Sequence, residues 1–357
     1  MDQHTWDQLV KYTELQGTSG QESLVRQAFK EDLTPLVDQV YQNNLGGVFG
    51  VKNEQSDGPR VMFAAHMDEV GFMVSGILPT GALQVVALGG WNPMTVSAHR
   101  FTLFTKNGQY PVVSSSVSPH LLRGKTGGQG TLTIDDILFD AGFESADQAQ
   151  SFGVRPGDFI VPKTQTQRLA NPNRAVSKAY DNRFGVVTIL TALEKLQGVE
   201  TPNTLIAGAN VQEEVGLRGA KPAVNQLKPD IFFAVDSSAA NDVDGTVGRQ
   251  GLMDQGTLIR VFDPTVVTSP RLKEFILQTA EDNHIPYQYF VSKGGTDAGG
   301  VQGQDFGLPA VALGVASRYI HTHETVWSIP DFEAAQELVV ALAKSLDESV
   351  YQDIVEH

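Results

Sequence analysis

Between Ser19 and Leu33 the chain sets Leu24, Val25, Ala28, Phe29 and Leu33 at helical intervals, behind a serine three residues before Glu22. That spacing is a capping box, and the segment predicts an amphipathic helix. Two strands are predicted next, "GGVFGVK" and "PRVMFAAHMDEV", the second a nearly unbroken apolar run ending at His66-Met67-Asp68. Runs of this kind suit the middle of an α/β sheet, buried on both faces. From Glu69 to Pro162 the texture changes to short alternating segments such as "GFMVSGI", "LQVVAL" and "RFTLFTKNGQYPVV", with Asn107-Gly108 as a hairpin signal. Beyond it, alternation of strand and helix returns. A helix follows Asp181, then come strands "TLIAGANVQ" and "DIFFAVD", the helix "RLKEFILQTAEDN", the strand "PAVALGV" and a closing helix "DFEAAQELVVALAKSL". The expectation is an α/β fold, a mixed sheet flanked by helices, built from residues 1–68 and 163–357. Residues 69–162 are expected to form a small β-barrel-like domain inserted into it.

Composition narrows the chemistry. A chain of 357 residues, 41% hydrophobic, can bury a large core. No run reaches the roughly 18 apolar residues of a membrane span, and "MDQHTWDQLV" lacks the features of a signal peptide, so a soluble cytoplasmic protein is expected. There is no cysteine, so any metal must be held by imidazole and carboxylate. A net charge of -15 leaves no basic footprint for nucleic acid or anionic membranes. It also means that an acidic substrate needs a local cation in its pocket.

Polar groups recur where apolar strands end, which is where α/β sheets place ligands. They are His66 and Asp68 after "VMFAA", Asp181 in "AYDNRFG", Glu213 and Glu214 after "LIAGANVQ", Asp236 after "IFFAV", and His321 after "VALGVASRYI". Singly, each has a plain explanation: a helix cap, a turn former, a solvated pair. Together they are costly to bury unless something positive compensates them. Two divalent ions would do so. Asp181, Glu214, Asp236 and a bridging hydroxide would balance their charge, and His66 and His321 would complete the set. Glu213 and Asp68 are then spare, one for general acid/base work and the other to orient an imidazole. Spacing alone does not assign these roles.

The segments "AHMDEVGFMV", "AYDNRFG", "NVQEEVGLRGA", "AVDSS", "KGGTDAG" and "RYIH" resemble, in order and spacing, the motifs of the tetrahedral dinuclear metalloaminopeptidases. "GGWNPM", "FGVRPGDFIVP", "SKGGTDAG" and "RYIHTHETV" are similar to the versions found in the glutamyl aminopeptidases of lactic acid bacteria and streptococci. The resemblance spans nearly the whole chain. It implies Asp181 as a bridging ligand, His66 and Asp236 on one metal, Glu214 and His321 on the other, Glu213 as catalytic base, and Asp68 orienting His66. It further implies two divalent ions, zinc or cobalt with manganese also admissible, peptide substrates with a free N-terminus, and a tetrahedral dodecamer whose dimer contacts use the inserted domain.

The subgroup implies a preference for N-terminal Glu or Asp. The candidate pocket cations are Lys293, beside "GGTDAG", and Arg249, in "TVGRQG". Rival readings are an amidase or deacylase on the same dinuclear fold, a broad-specificity aminopeptidase, and a binding protein without catalysis. In "RYIHTHETV" an extended backbone would put His321 and His323 on one side, so periodicity permits both as ligands. One imidazole completes the shell and the resemblance places it at His321, leaving His323 to contact substrate, fix the loop or lie at the surface.

Overall fold

The computed structural model describes residues 1–118, 132–245 and 250–356. Its largest element is a 12-stranded sheet whose centre is parallel: Thr204–Asn210, Arg60–His66, Ile231–Ala240 and Ala310–Arg318 lie side by side. Antiparallel strands extend both sides. Val48–Lys52 pairs with Thr204–Asn210, and Thr257–Asp263 and Thr325–Ser328 both pair with Ala310–Arg318. The sheet is therefore mixed.

Period-two alternation sorts the central strands between two cores. Val61, Phe63, Ala65, Phe233, Val235, Val311 and Leu313 face the larger one, beneath the helices Ser23–Leu33, Tyr180–Lys195, Pro270–Asp282 and Ile329–Ser345. Met62, Ala64, Phe232, Ala234, Ala310 and Ala312 face the other, under Ala220–Leu227 and Asp297–Val301. His66 continues the row of Met62 and Ala64, and Asp236 that of Phe232 and Ala234. Both thus reach the second face, His66 at the last residue of its strand and Asp236 within its own.

Six short strands from Gly71–Ile77 to Phe159–Pro162 close a barrel around Phe72, Leu83, Phe101, Phe139 and Ile160. The expected hairpin joins Arg100–Thr105 to Gly108–Ser114, with Thr105 opposite Gly108. Its two turn residues are Lys106 and Asn107, one position earlier than the Asn-Gly signal suggests. Among the described residues no helix is long and apolar enough to cross a membrane.

Three local expectations change. A helix not expected from the sequence covers Gln3–Glu14, capped by Asp2, whose carboxylate accepts from the Thr5 amide, and buries Leu9 and Tyr12. The helix Ser23–Leu33 forms, but without a side-chain cap, because Ser19 and Glu22 are engaged elsewhere, and Leu24 is exposed. Strand Ile231–Ala240 runs on past Asp236 rather than ending at it, since the neighbouring Ala310–Arg318 keeps pairing as far as Ala240.

Candidate metal and peptidase site

Five segments converge near the carboxyl ends of the parallel strands. Arg60–His66 delivers His66, Ile231–Ala240 delivers Asp236, the turn after Thr204–Asn210 carries Glu213 and Glu214, Asp181 follows Tyr180 at the non-helical start of the helix Tyr180–Lys195, and the loop after Ala310–Arg318 brings His321. The close approach of that helix depends on Gly185. A Cβ there would lie 2.3 Å from the carbonyl oxygen of Val235, the residue before Asp236.

The side chains form one cluster with Asp181 at its centre. Its Oδ1 is 3.3 Å from His66 Nε2, and its Oδ2 is 3.3 Å from His321 Nε2. On the first side, His66 Nε2 is 3.7 Å from Asp236 Oδ1 and 3.8 Å from Glu213 Oε2. On the second, His321 Nε2 is 3.4 Å from Glu214 Oε1. Two combinations, His66 with Asp181 and Glu214, and His66 with Glu213 and Asp236, hold their donor atoms within 4.8 Å of one another.

The electrostatics are those of a site short of positive charge. Burial, then Asp236, Asp297 and Glu214, push Glu213 well above the usual carboxylate range. Burial chiefly raises Glu214 to about 8, and it also raises Asp236. Asp181 goes the other way: burial opposes its ionisation, but hydrogen bonds to His321 and His66 hold its pKa down. Burial disfavours a charge on His321 too, yet Glu214 and Asp181 lift it to about 10. Glu214 Oε1 is buried with no hydrogen-bond partner. An orphaned carboxylate oxygen facing an imidazole, among acids that resist ionising together, fits divalent cations as the missing partners.

The backbone around the cluster is tied down. His66 Nδ1 lies 3.0 Å from the carbonyl oxygen of Asp68 and 3.4 Å from its Oδ1, so main chain and side chain of Asp68 both face the ring. The Asp68 carboxylate also accepts from the amides of Glu213 (3.0 Å) and Glu214 (3.2 Å) and from the Ser19 hydroxyl (2.6 Å). Behind it Arg183, fully buried, donates to the carbonyls of Met67, Tyr12, Leu15 and Gly17. His321 Nδ1 is 2.8 Å from the Gly90 carbonyl oxygen, which belongs to the loop after barrel strand Leu83–Leu88.

The two histidines of "RYIHTHETV" part company. The strand ends at Arg318, and Tyr319 and His321 take left-handed φ of 61° and 58°, so the chain turns. His321 enters the cluster. His323, only 2% exposed, stacks on His99 with ring centroids 4.4 Å apart and packs edge-on against Phe101. Burial, then the nearby His99, lowers its pKa to about 3. It is therefore not at the surface; with His321, Gly90 and His99 it lines a cavity of about 680 Å³, beside the one that opens on the cluster.

The cavity that opens on the cluster, about 460 Å³, is lined by the cluster and by Ser238, Arg260, Phe290 and Lys293. Lys293 is exposed at its edge. Arg249 lies outside the described residues. The cation that sequence reasoning missed is Arg260, 5% exposed, whose guanidinium donates to Ser238 Oγ (2.8 Å), Asp263 Oδ2 (3.2 Å) and the Gly294 carbonyl (3.1 Å). The signal was there: an arginine inside the apolar strand "TLIRVFD" needs a buried partner. Arg318, by contrast, pairs with Asp242, away from the cluster carboxylates.

A sheet of this topology ending in an acid and imidazole cluster, with an inserted barrel supplying one loop, defines a class of peptidase, and comparison with known proteins agrees. The model of the M42 glutamyl aminopeptidase family matches residues 46–338. Glutamyl aminopeptidase of Lactococcus lactis subsp. cremoris is 47% identical over 344 residues, covering 96% of each chain. The TET aminopeptidase from a marine sediment Thaumarchaeota archaeon superposes with a TM-score of 0.93 at 32% identity, covering 99% of both chains. The Pyrococcus horikoshii TET1 peptidase, described as assembling into a tetrahedron or a large octahedral shell, does so with 0.86 at 30% identity, over 96% of this chain and 100% of that one. The chain belongs to the M42 glutamyl aminopeptidase family and is an aminopeptidase.

Proposed function

We propose that this aminopeptidase depends on two divalent metal ions and releases N-terminal Glu or Asp from peptides. The observation that carries the metal reading is the position of Asp181, with one carboxylate oxygen toward each of two imidazoles. In this reading Asp181 bridges, His66 and Asp236 complete one position, and Glu214 and His321 the other. Zinc and cobalt suit the imidazole and carboxylate donors, as does manganese. Bound there, such ions would supply Lewis acidity toward a peptide carbonyl and a water molecule.

The chain's own residues do the rest. Glu213 takes a proton from the attacking water at its carboxylate and delivers it to the leaving amine. A general acid/base must lie within reach of the reacting groups, and Glu213 lines the cavity at the edge of the cluster, its Oε2 3.8 Å from His66 Nε2. Asp68 holds His66 on one side and the Glu213-Glu214 backbone on the other.

The acidic preference is supported by Arg260 in the cavity beside the cluster and by the glutamyl aminopeptidase relative. In a chain of net charge -15, a buried guanidinium there provides the local attraction that an acidic side chain needs. Lys293 adds a second cation at the rim. We also infer self-association into a large homo-oligomer, residues 69–162 forming an inserted domain that contributes dimer contacts to the catalytic domain of 1–68 and 163–357. The described assembly of the Pyrococcus horikoshii relative supports this. The test is hydrolysis of glutamyl and leucyl chromogenic substrates, free and N-blocked, before and after metal removal. Cleavage confined to the free, metal-loaded case supports the proposal.

A further inference from the structure

The segment between Thr18 and Glu22 reads in sequence as a helix start, yet in the structure it grips the turn that carries Glu213. Ser19 Oγ donates to Asp68 Oδ2 at 2.6 Å, and that carboxylate accepts from the amides of Glu213 and Glu214. Glu22 Oε1 accepts from the amides of Gly20 (2.7 Å) and Gln212 (3.2 Å). Three consecutive amides, 212 to 214, thus end on two carboxylates. The groups are deeply placed: Asp68 is 0%, Glu22 2% and Ser19 6% exposed.

Helix capping does not explain this, since neither side chain caps Ser23–Leu33. The turn does. Gln212 sits at φ 55°, a left-handed conformation unfavourable for a non-glycine residue unless its surroundings hold it. Amides pointing out of such a turn have no strand partner, and Glu22 and Asp68 are what they meet.

We propose that Glu22 and Ser19 are positioning residues for Glu213. Glu22 acts through Gln212 and Ser19 through Asp68, and together they fix the turn so that the Glu213 carboxylate faces the cluster. The inference rests on the reading of Glu213 as proton carrier. Because the two residues act through the turn, their loss lowers turnover rather than substrate affinity.

The test is steady-state kinetics, metal content and thermal melting of the metal-loaded full-length protein for Glu22→Ala, Glu22→Gln and Ser19→Ala. Glu213→Gln and Asn203→Ala serve as references, Asn203 being a buried residue whose amide bridges the carbonyls of Ala343 and Leu346. Glu22→Ala and Ser19→Ala are expected to lower kcat about 10-fold or more, since misplacement by about 1 Å costs up to about 100-fold, with KM and metal content retained. Glu22→Gln, which keeps an oxygen for the Gln212 amide, recovers most of the rate. Asn203→Ala melts earlier but keeps its kcat. The proposal is overturned if Glu22→Ala and Ser19→Ala turn over at the wild-type rate, if their rate falls only in step with metal, or if Asn203→Ala loses the same kcat. Should Glu22→Ala not fold, Ser19→Ala decides. Wild-type turnover by Glu213→Gln would overturn the reading of the base itself. An inactive Glu213→Gln beside fully active Glu22→Ala and Ser19→Ala would overturn the positioning proposal alone.

Discussion

Asp181 divides its carboxylate between two imidazoles, Oδ1 at 3.3 Å from His66 Nε2 and Oδ2 at 3.3 Å from His321 Nε2. A residue so placed is shared by both halves of the cluster. Asp181→Ala is therefore expected to lose occupancy at both metal positions and all measurable turnover. Metal stoichiometry after dialysis checks this, and retention of one full equivalent would argue against a bridging role.

Glu213 sits on the edge of the same cluster, 3.8 Å from His66 Nε2. Glu213→Gln keeps its shape and removes its proton chemistry. Turnover should fall by about 100-fold or more while metal content stays at the wild-type level. Parallel loss of metal and rate would make Glu213 a ligand instead.

The two neighbouring histidines should behave differently. His321→Ala removes a donor from one metal position and should lower occupancy there. His323→Ala empties a place in the packing of His99, Trp91 and Phe101, so it should lower the melting temperature and leave metal content intact. Equal metal loss in both variants would contradict this division.

Metal uptake should be coupled to proton release. In the metal-free chain Glu214 and Asp181 raise His321 against the opposing effect of burial, and burial raises Glu214, so the pair retains at least one proton at neutral pH. That proton must leave for the pair to bind a cation, so at pH 7 binding releases protons and affinity rises from pH 6 to pH 8. Calorimetric titration in buffers of different ionisation enthalpy measures the number released. A binding enthalpy independent of buffer would rule the coupling out.

Specificity should follow Arg260. A charge-assisted hydrogen bond contributes about 1.5–3 kcal/mol, so Arg260→Ala is expected to lower the glutamyl-to-leucyl ratio of kcat/KM by about 10-fold or more. The substitution also leaves Asp263 buried without its cation, and Arg260→Lys keeps a charge there for comparison. Lys293→Ala, at the exposed edge, should shift the ratio less. An unchanged ratio in all three variants would remove both cations from the pocket.

Much of this site is legible in the sequence because the physics is local. A carboxylate or imidazole directly after an apolar strand has few places to go, and His66, Asp181, Glu213, Glu214, Asp236 and His321 do meet. What escapes is set by backbone turns and long-range partners. The left-handed Tyr319 and His321 break the extended geometry that would have kept His321 and His323 together. Ser19 and Glu22 match a capping pattern by spacing, but their acceptors and donors lie in segments far along the chain. Arg260 stands in a strand whose apolar neighbours draw attention from it, and only the fold shows that its head reaches the cavity.

The most direct measurement of the central claim is hydrolysis of a free glutamyl chromogenic substrate by the protein stripped of metal, then titrated with zinc or cobalt. The account predicts no turnover in the stripped protein and recovery that saturates at two ions per chain. Full turnover without metal, or recovery complete at one ion, would contradict it.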